Sequence, residues 1–183
     1  MADAMVRHIG EIEDLKYAGK YDEARKRVES YLLKHADDYR LYEELADISL
    51  YEGDLDRAEN SMEVARKLHP ESATGTYLMG YILLSKGRFS EGVELLQKAN
   101  VLFPNNPEIL RNLGWGCTVL GEVSKGIVLL ERALNLSPDD ALIMEDLGVA
   151  LISDGQLMSG EEYLRKAGKE DRISELKAIM RSV

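Results

Sequence analysis

Cysteine is nearly missing: a single residue, Cys117, excludes any disulfide within the chain. Proline occurs four times, phenylalanine twice and tryptophan once, against nine tyrosines. Basic residues are outnumbered, 23 Lys and Arg to 33 Asp and Glu, and the formal net charge is −10. A nucleic-acid binder that works through phosphates needs the opposite sign, so that class is excluded. The charge argues instead for protein partners, basic ones included. No run approaches the roughly 18 apolar residues of a membrane span. The opening Met1-Ala2-Asp3-Ala4-Met5-Val6-Arg7-His8 lacks the basic and apolar regions of a secretory signal, which gives a cytoplasmic expectation.

Catalytic patterns are missing as well. There is no glycine-rich phosphate loop, no Gly-x-Ser-x-Gly and no Cys-x-x-Cys. The three histidines, His8, His35 and His69, form no pair with metal-ligand spacing. Asp37-Asp38 and Asp139-Asp140 lack the alternation and glycine of a calcium loop, and aspartate there reads as a helix cap. Cys117 shares a column with Leu15, Ser49, Leu83 and Leu151 and reads as a small buried hydrophobe. The expectation is a protein that is not an enzyme and has no cofactor and no metal.

What the chain does have is a 34-residue period. Gly19, Gly53, Gly87, Gly121 and Gly155 form one column. Five residues on stand Ala24, Ala58, Gly92, Gly126 and Gly160, and seven further come Tyr31, Ala65, Ala99, Ala133 and Ala167. Seven residues before the glycines lie Ile12, Ala46, Gly80, Gly114 and Gly148. Three units end at Pro70, Pro104 and Pro138. Glycine ends a helix cheaply by permitting positive φ. Small residues let facing backbones approach, and proline stops the second helix. Apolar residues between these marks recur at helical spacing, as in Met79, Ile82, Leu83, Val93, Leu96 and Ala99. Each unit therefore reads as helix, tight turn, helix, short link.

The period and its columns resemble the tetratricopeptide repeat family from about Met5 to Arg172. That resemblance implies an all-α fold: an α-solenoid, a right-handed superhelix, of five helix-turn-helix units. The units fall at 5–38, 39–72, 73–106, 107–140 and 141–170, followed by a capping helix at 171–182, so that 1–183 forms a single array. The ends depart from the pattern. Glu11 stands where other units place Leu45, Met79, Leu113 and Leu147, and Ala36 and Arg172 replace proline. Terminal units face water on one side, which suits such departures. The cap's apolar stripe is Ile173, Leu176, Ile179 and Met180, opposite Glu175, Lys177 and Arg181.

The resemblance further implies that first helices line a concave groove. The groove candidates are Glu13, Lys16, Tyr17, Glu43, Asp47, Leu50 and Tyr51 in the first half. In the second half they are Tyr77, Tyr81, Leu84, Arg111, Trp115, Val119, Glu145, Val149 and Ile152. Tyr81, Trp115 and Val149 share one column. Trp, Tyr and Arg are enriched among interface hot spots, so Tyr77, Tyr81, Arg111 and Trp115 are the expected anchors. The alternative for Tyr81 and Trp115 is packing between helices. Ile9, Glu13 and Glu44 stand where relatives that grip acidic chaperone tails need Lys, Arg and Asn, which argues against that role. The leading expectation is an adaptor or scaffold binding a partner peptide or helix. Alternatives are a secretion-type chaperone for an exported client and a self-assembling scaffold, which leaves a homo-oligomer open.

Overall fold

The computed structural model describes residues 2–181, with side chains from 5 to 178. Among the described residues all regular structure is α-helical, in the order α1 (Ala2–Tyr17), α2 (Tyr21–Leu32), α3 (Tyr39–Tyr51), α4 (Leu55–Leu68), α5 (Ala73–Ser85), α6 (Phe89–Leu102), α7 (Pro107–Val119), α8 (Val123–Leu136), α9 (Ala141–Ser153), α10 (Leu157–Lys166) and α11 (Glu170–Arg181). The fold is an α-solenoid of helix-turn-helix units. Packing divides the chain into two compact units, Met1–Arg88 and Phe89–Val183.

The glycine column does what its spacing predicts. Gly53 has φ 75° and Gly121 has φ 83°. The Gly53 N–H donates to Leu50 O at 3.0 Å and the Asp54 N–H to Ser49 O at 2.9 Å. Gly121 and Glu122 repeat the pair on Thr118 and Cys117. These crossed bonds satisfy the last carbonyls of the first helix and require the left-handed residue between them. At the other end of three of the repeats, proline restricts the residue before it to an extended backbone. His69 takes φ −144° and Ser137 φ −137°, ending α4 and α8.

A second column restarts the helices: Asp38, Ser72, Asn106 and Asp140 are N-caps 34 residues apart. Asp140 Oδ1 accepts from the N–H groups of Leu142 and Ile143 at 2.8 and 3.1 Å, and Asn106 Oδ1 accepts likewise from Glu108 and Ile109. Each satisfies amide donors that the first turn leaves without helical partners. The aspartates were expected as caps; Ser72 and Asn106 complete the set.

In the first unit Met5, Ile12, Ala24, Val28, Leu41 and Ile48 form one core cluster. Glu11 stays exposed at its edge, accepting from the Tyr31 hydroxyl at 2.6 Å and from Arg27 at 3.1 Å, which explains a carboxylate in an apolar column. In the second unit Ile127 and Leu130 pack with Leu147, Ala150 and Leu151. Two glycine pairs bring backbones close there. A Cβ on Gly114 would meet Leu130 Cγ at 2.8 Å, and one on Gly148 would meet Leu164 Cγ at 2.8 Å. The last helix, α11, lays Ile173 and Leu176 against Ile152 and Leu164. The side chains of Ile179, Met180 and Arg181 lie outside the described residues. No described helix is long and apolar enough to cross a membrane.

Candidate functional site

First helices meet one another as well as their hairpin partners: α3 touches α1 and α5 in the first unit, and α7 touches α9 in the second. Each unit thus brings its first helices together side by side.

In the first unit the expected residues lie on first helices: Glu13, Lys16 and Tyr17 on α1, Asp47, Leu50 and Tyr51 on α3, and Tyr77 and Tyr81 on α5. Tyr51 is 61% exposed and stacks on Tyr21 with ring centroids 5.0 Å apart. Tyr77 and Tyr81 are half-buried. Lys16 Nζ lies 2.6 Å from both Glu44 Oε2 and Asp47 Oδ2.

Two expected face residues of this unit are interior. Leu84 is buried among core residues of α5. Glu43 is buried too, and its Oε1 accepts a short hydrogen bond from the Ser72 hydroxyl. That hydroxyl in turn accepts from the Gly75 N–H at 3.1 Å. Burial pushes the Glu43 carboxyl above its ordinary value, with Ser72 and the Gly75 amide opposing. Glu43 is therefore a structural link between α3 and the start of α5 rather than a groove carboxylate.

In the second unit Arg111, Trp115 and Val119 lie on α7, and Glu145 and Val149 on α9. Trp115 is half-buried, and its ring stands T-shaped to that of Phe89 with centroids 5.7 Å apart. Val119 is exposed and Val149 half-buried. Ile152 is a further correction: Leu164 and Ile173 cover it, and it belongs to the core. Glu145 is engaged by Lys169 at 3.1 Å and Arg172 at 3.8 Å.

Arg111 reaches Asp146 Oδ2 at 3.8 Å and donates to Asn112 Oδ1 at 3.2 Å. Asn112 and Asp146 were missed in the sequence. The available signal was a column, Glu44, Leu78, Asn112 and Asp146, polar at three of four places on otherwise apolar helices. Burial pushes the Asp146 carboxyl up to about 6; the charge of Arg111 opposes this in part, and Glu145 and Asp140 add to the rise. The folded chain thus holds this proton more tightly than the unfolded one. Its contribution to stability is complete below the ordinary carboxylate value and is lost as pH rises through about 6. Denaturant midpoints at about pH 4 and about pH 7.5 test this. Asp146→Asn should remove roughly 2 kcal/mol of the fall between them, whereas an unchanged fall would clear Asp146 of the effect.

Cys117 is fully buried, and the same burial raises its thiol. Among the described residues no three His, Cys, Asp or Glu side chains gather as metal ligands would.

Stacked helix hairpins with a left-handed glycine at each turn, small residues at each crossing and a cap column at each link define a helical repeat protein. The tetratricopeptide repeat model matches residues 10–57 and 45–107, more than half of the chain, which belongs to that family. No curated protein sequence matches it significantly. Solved structures share the fold at low identity. PilW, a widely conserved type IV pilus biogenesis factor, superposes with a TM-score of 0.77 at 18% identity over 96% of this chain and 91% of its own. MamA from Desulfovibrio magneticus RS-1 gives 0.73 at 18% over 90% and 93%. YrrB, a repeat protein with an unusual peptide-binding site, gives 0.68 at 16% over 96% and 91%.

Proposed function

We propose that the chain is a non-catalytic interaction scaffold that takes an extended or helical segment of a partner protein on its first-helix faces. The observation that supports this reading is that Tyr77 and Tyr81 on α5 and Trp115 on α7, large aromatics of first helices, are only half-buried. Aromatic area left partly open suits an interaction surface, and a ring already held in place costs little entropy when the rest of it is covered. Val119, Val149 and the exposed Tyr51 extend the apolar area within their own units. Arg111 is held by Asp146 and Asn112 and serves as a support for the surface more than as an anchor. A cytoplasmic setting fits a lone, unpaired cysteine.

Capture from lysate of the source organism tests the reading, with wild type, Tyr81→Ala and Trp115→Ala as separate baits and helicity checked in each. An anchor should cost about 2 kcal/mol, a fall in affinity of about 30-fold. Folded variants that retain the full set of captured proteins would refute both anchors. A variant that melts early instead assigns its aromatic to packing.

A further inference from the structure

A cleft of about 280 Å³ opens in the first unit between α1, the start of α2, and α3, lined by Glu13, Lys16, Tyr17, Tyr21, Asp47 and Tyr51. Its walls are aromatic. Tyr21 and Tyr51 stack with 13° between their planes, and Tyr17, the last residue of α1, is 90% exposed. An aromatic left this bare on an ordered helix buries almost none of its apolar area within the chain.

The cleft is also negative. Lys16, the one cation lining it, is matched by two carboxylates, Glu44 and Asp47. Glu13 adds a further negative charge. Burial pushes the Glu44 carboxyl up against the pull of Lys16, and the charges of Asp47 and Glu13 add to the rise, which places Glu13 within the same field. The neighbouring cations do not offset this excess: Lys20 pairs with Glu23 at 3.3 Å and Arg25 with Glu52. Tyrosine faces attract cations through their quadrupole, most strongly beside carboxylates. A guanidinium suits the combination better than an ammonium, being planar for stacking and forked for carboxylates. The volume admits one side chain and no helix.

We propose that this cleft receives an arginine side chain presented by a partner protein, with Tyr17 and Tyr51 against the guanidinium plane and Glu13 and Asp47 accepting its N–H groups. The site lies among the first-helix residues of the face-binding reading above and deepens it, naming the side chain that this part of the face would take.

The test uses the full chain with ¹³C-labelled tyrosine, titrated with the blocked peptide acetyl-Gly-Gly-Arg-Gly-Gly-amide. The control is the same peptide with citrulline, which keeps the shape and loses the charge. Saturable shifts of the Tyr17, Tyr21 and Tyr51 ring signals are expected, weakening as salt is raised. Citrulline should bind at least about tenfold more weakly. Glu13→Gln and Tyr17→Ala, both at exposed positions, should weaken arginine binding while leaving helicity intact. Unmoved ring signals at high peptide concentration, or equal shifts with citrulline, would overturn the proposal. Protein capture is read with Tyr81→Ala on α5 and Trp115→Ala on α7, neither of which lines the cleft, so the two readings fail separately.

Discussion

Replacing Gly126 with valine should destabilise the protein by about 3 kcal/mol, at the upper end of what overpacking costs. A Cβ on Gly126 would lie 2.7 Å from the Gly114 carbonyl oxygen and closer still to the Thr118 hydroxyl. Backbone cannot move aside as a flexible side chain can, so α7 and α8 would have to separate, pulling Leu130 away from Leu147 and Leu151. Gly126→Ala gives the sharper test, because two effects oppose. Helix propensity favours alanine over glycine by about 1 kcal/mol. Close approach predicts a net loss despite that gain. Guanidinium denaturation read by helicity distinguishes them, and a more stable alanine variant would mean that the crossing has room. The α3–α4 hairpin carries Ala46 and Ala58 in the same two columns, both fully buried, so that crossing is built to hold methyl groups.

Ser72→Ala carries the second large effect. Ser72 does two things with one hydroxyl, accepting from the Gly75 N–H as the cap of α5 and donating to buried Glu43. Loss of the cap costs about 1 kcal/mol. Stranding a buried carboxylate adds about 2 kcal/mol. The two parts separate with pH. Burial raises the folded-state value of Glu43, so the stability tied to its proton is present at acid pH and lost as pH rises through that raised value. Removing Ser72 removes an interaction that favours the charged form, which raises the value further and deepens the loss. The variant should therefore cost about 3 kcal/mol near neutral pH and fall toward about 1 kcal/mol in acid, where Glu43 is neutral. In a Glu43→Gln background the cost should stay near about 1 kcal/mol at both pH values. A penalty of the same size in acid and at neutrality, in either background, would show that only the cap matters.

The repeat was legible in the sequence because its determinants are local. Gly121 and Glu122 end a helix through bonds to residues three and five positions back, and Asp140 caps one through bonds two and three positions forward. Such marks can be read from a short window. The faces were less legible because burial is decided by distant neighbours. Leu50 and Ile152 share a column, yet Leu50 is half-buried while Leu164 and Ile173, the latter on the final helix, cover Ile152. Glu43 looked like an acid on an outward face, and its partner Ser72 is 29 residues away. Trp115 falls between the two expectations for it: it stands T-shaped to Phe89 and is neither fully buried nor fully exposed.

The partition of the chain also divides its chromophores. Eight of the nine tyrosines lie in Met1–Arg88, which has no tryptophan, while the sole indole and Tyr163 lie in Phe89–Val183. Tyrosine absorbance and indole emission therefore work as two separately addressable dyes, one for each half. If the halves melt at different temperatures, the two signals will part company in a single sample, without any label. Coincident curves would mean that the halves unfold as one body, and that a lesion in either is felt along the whole chain.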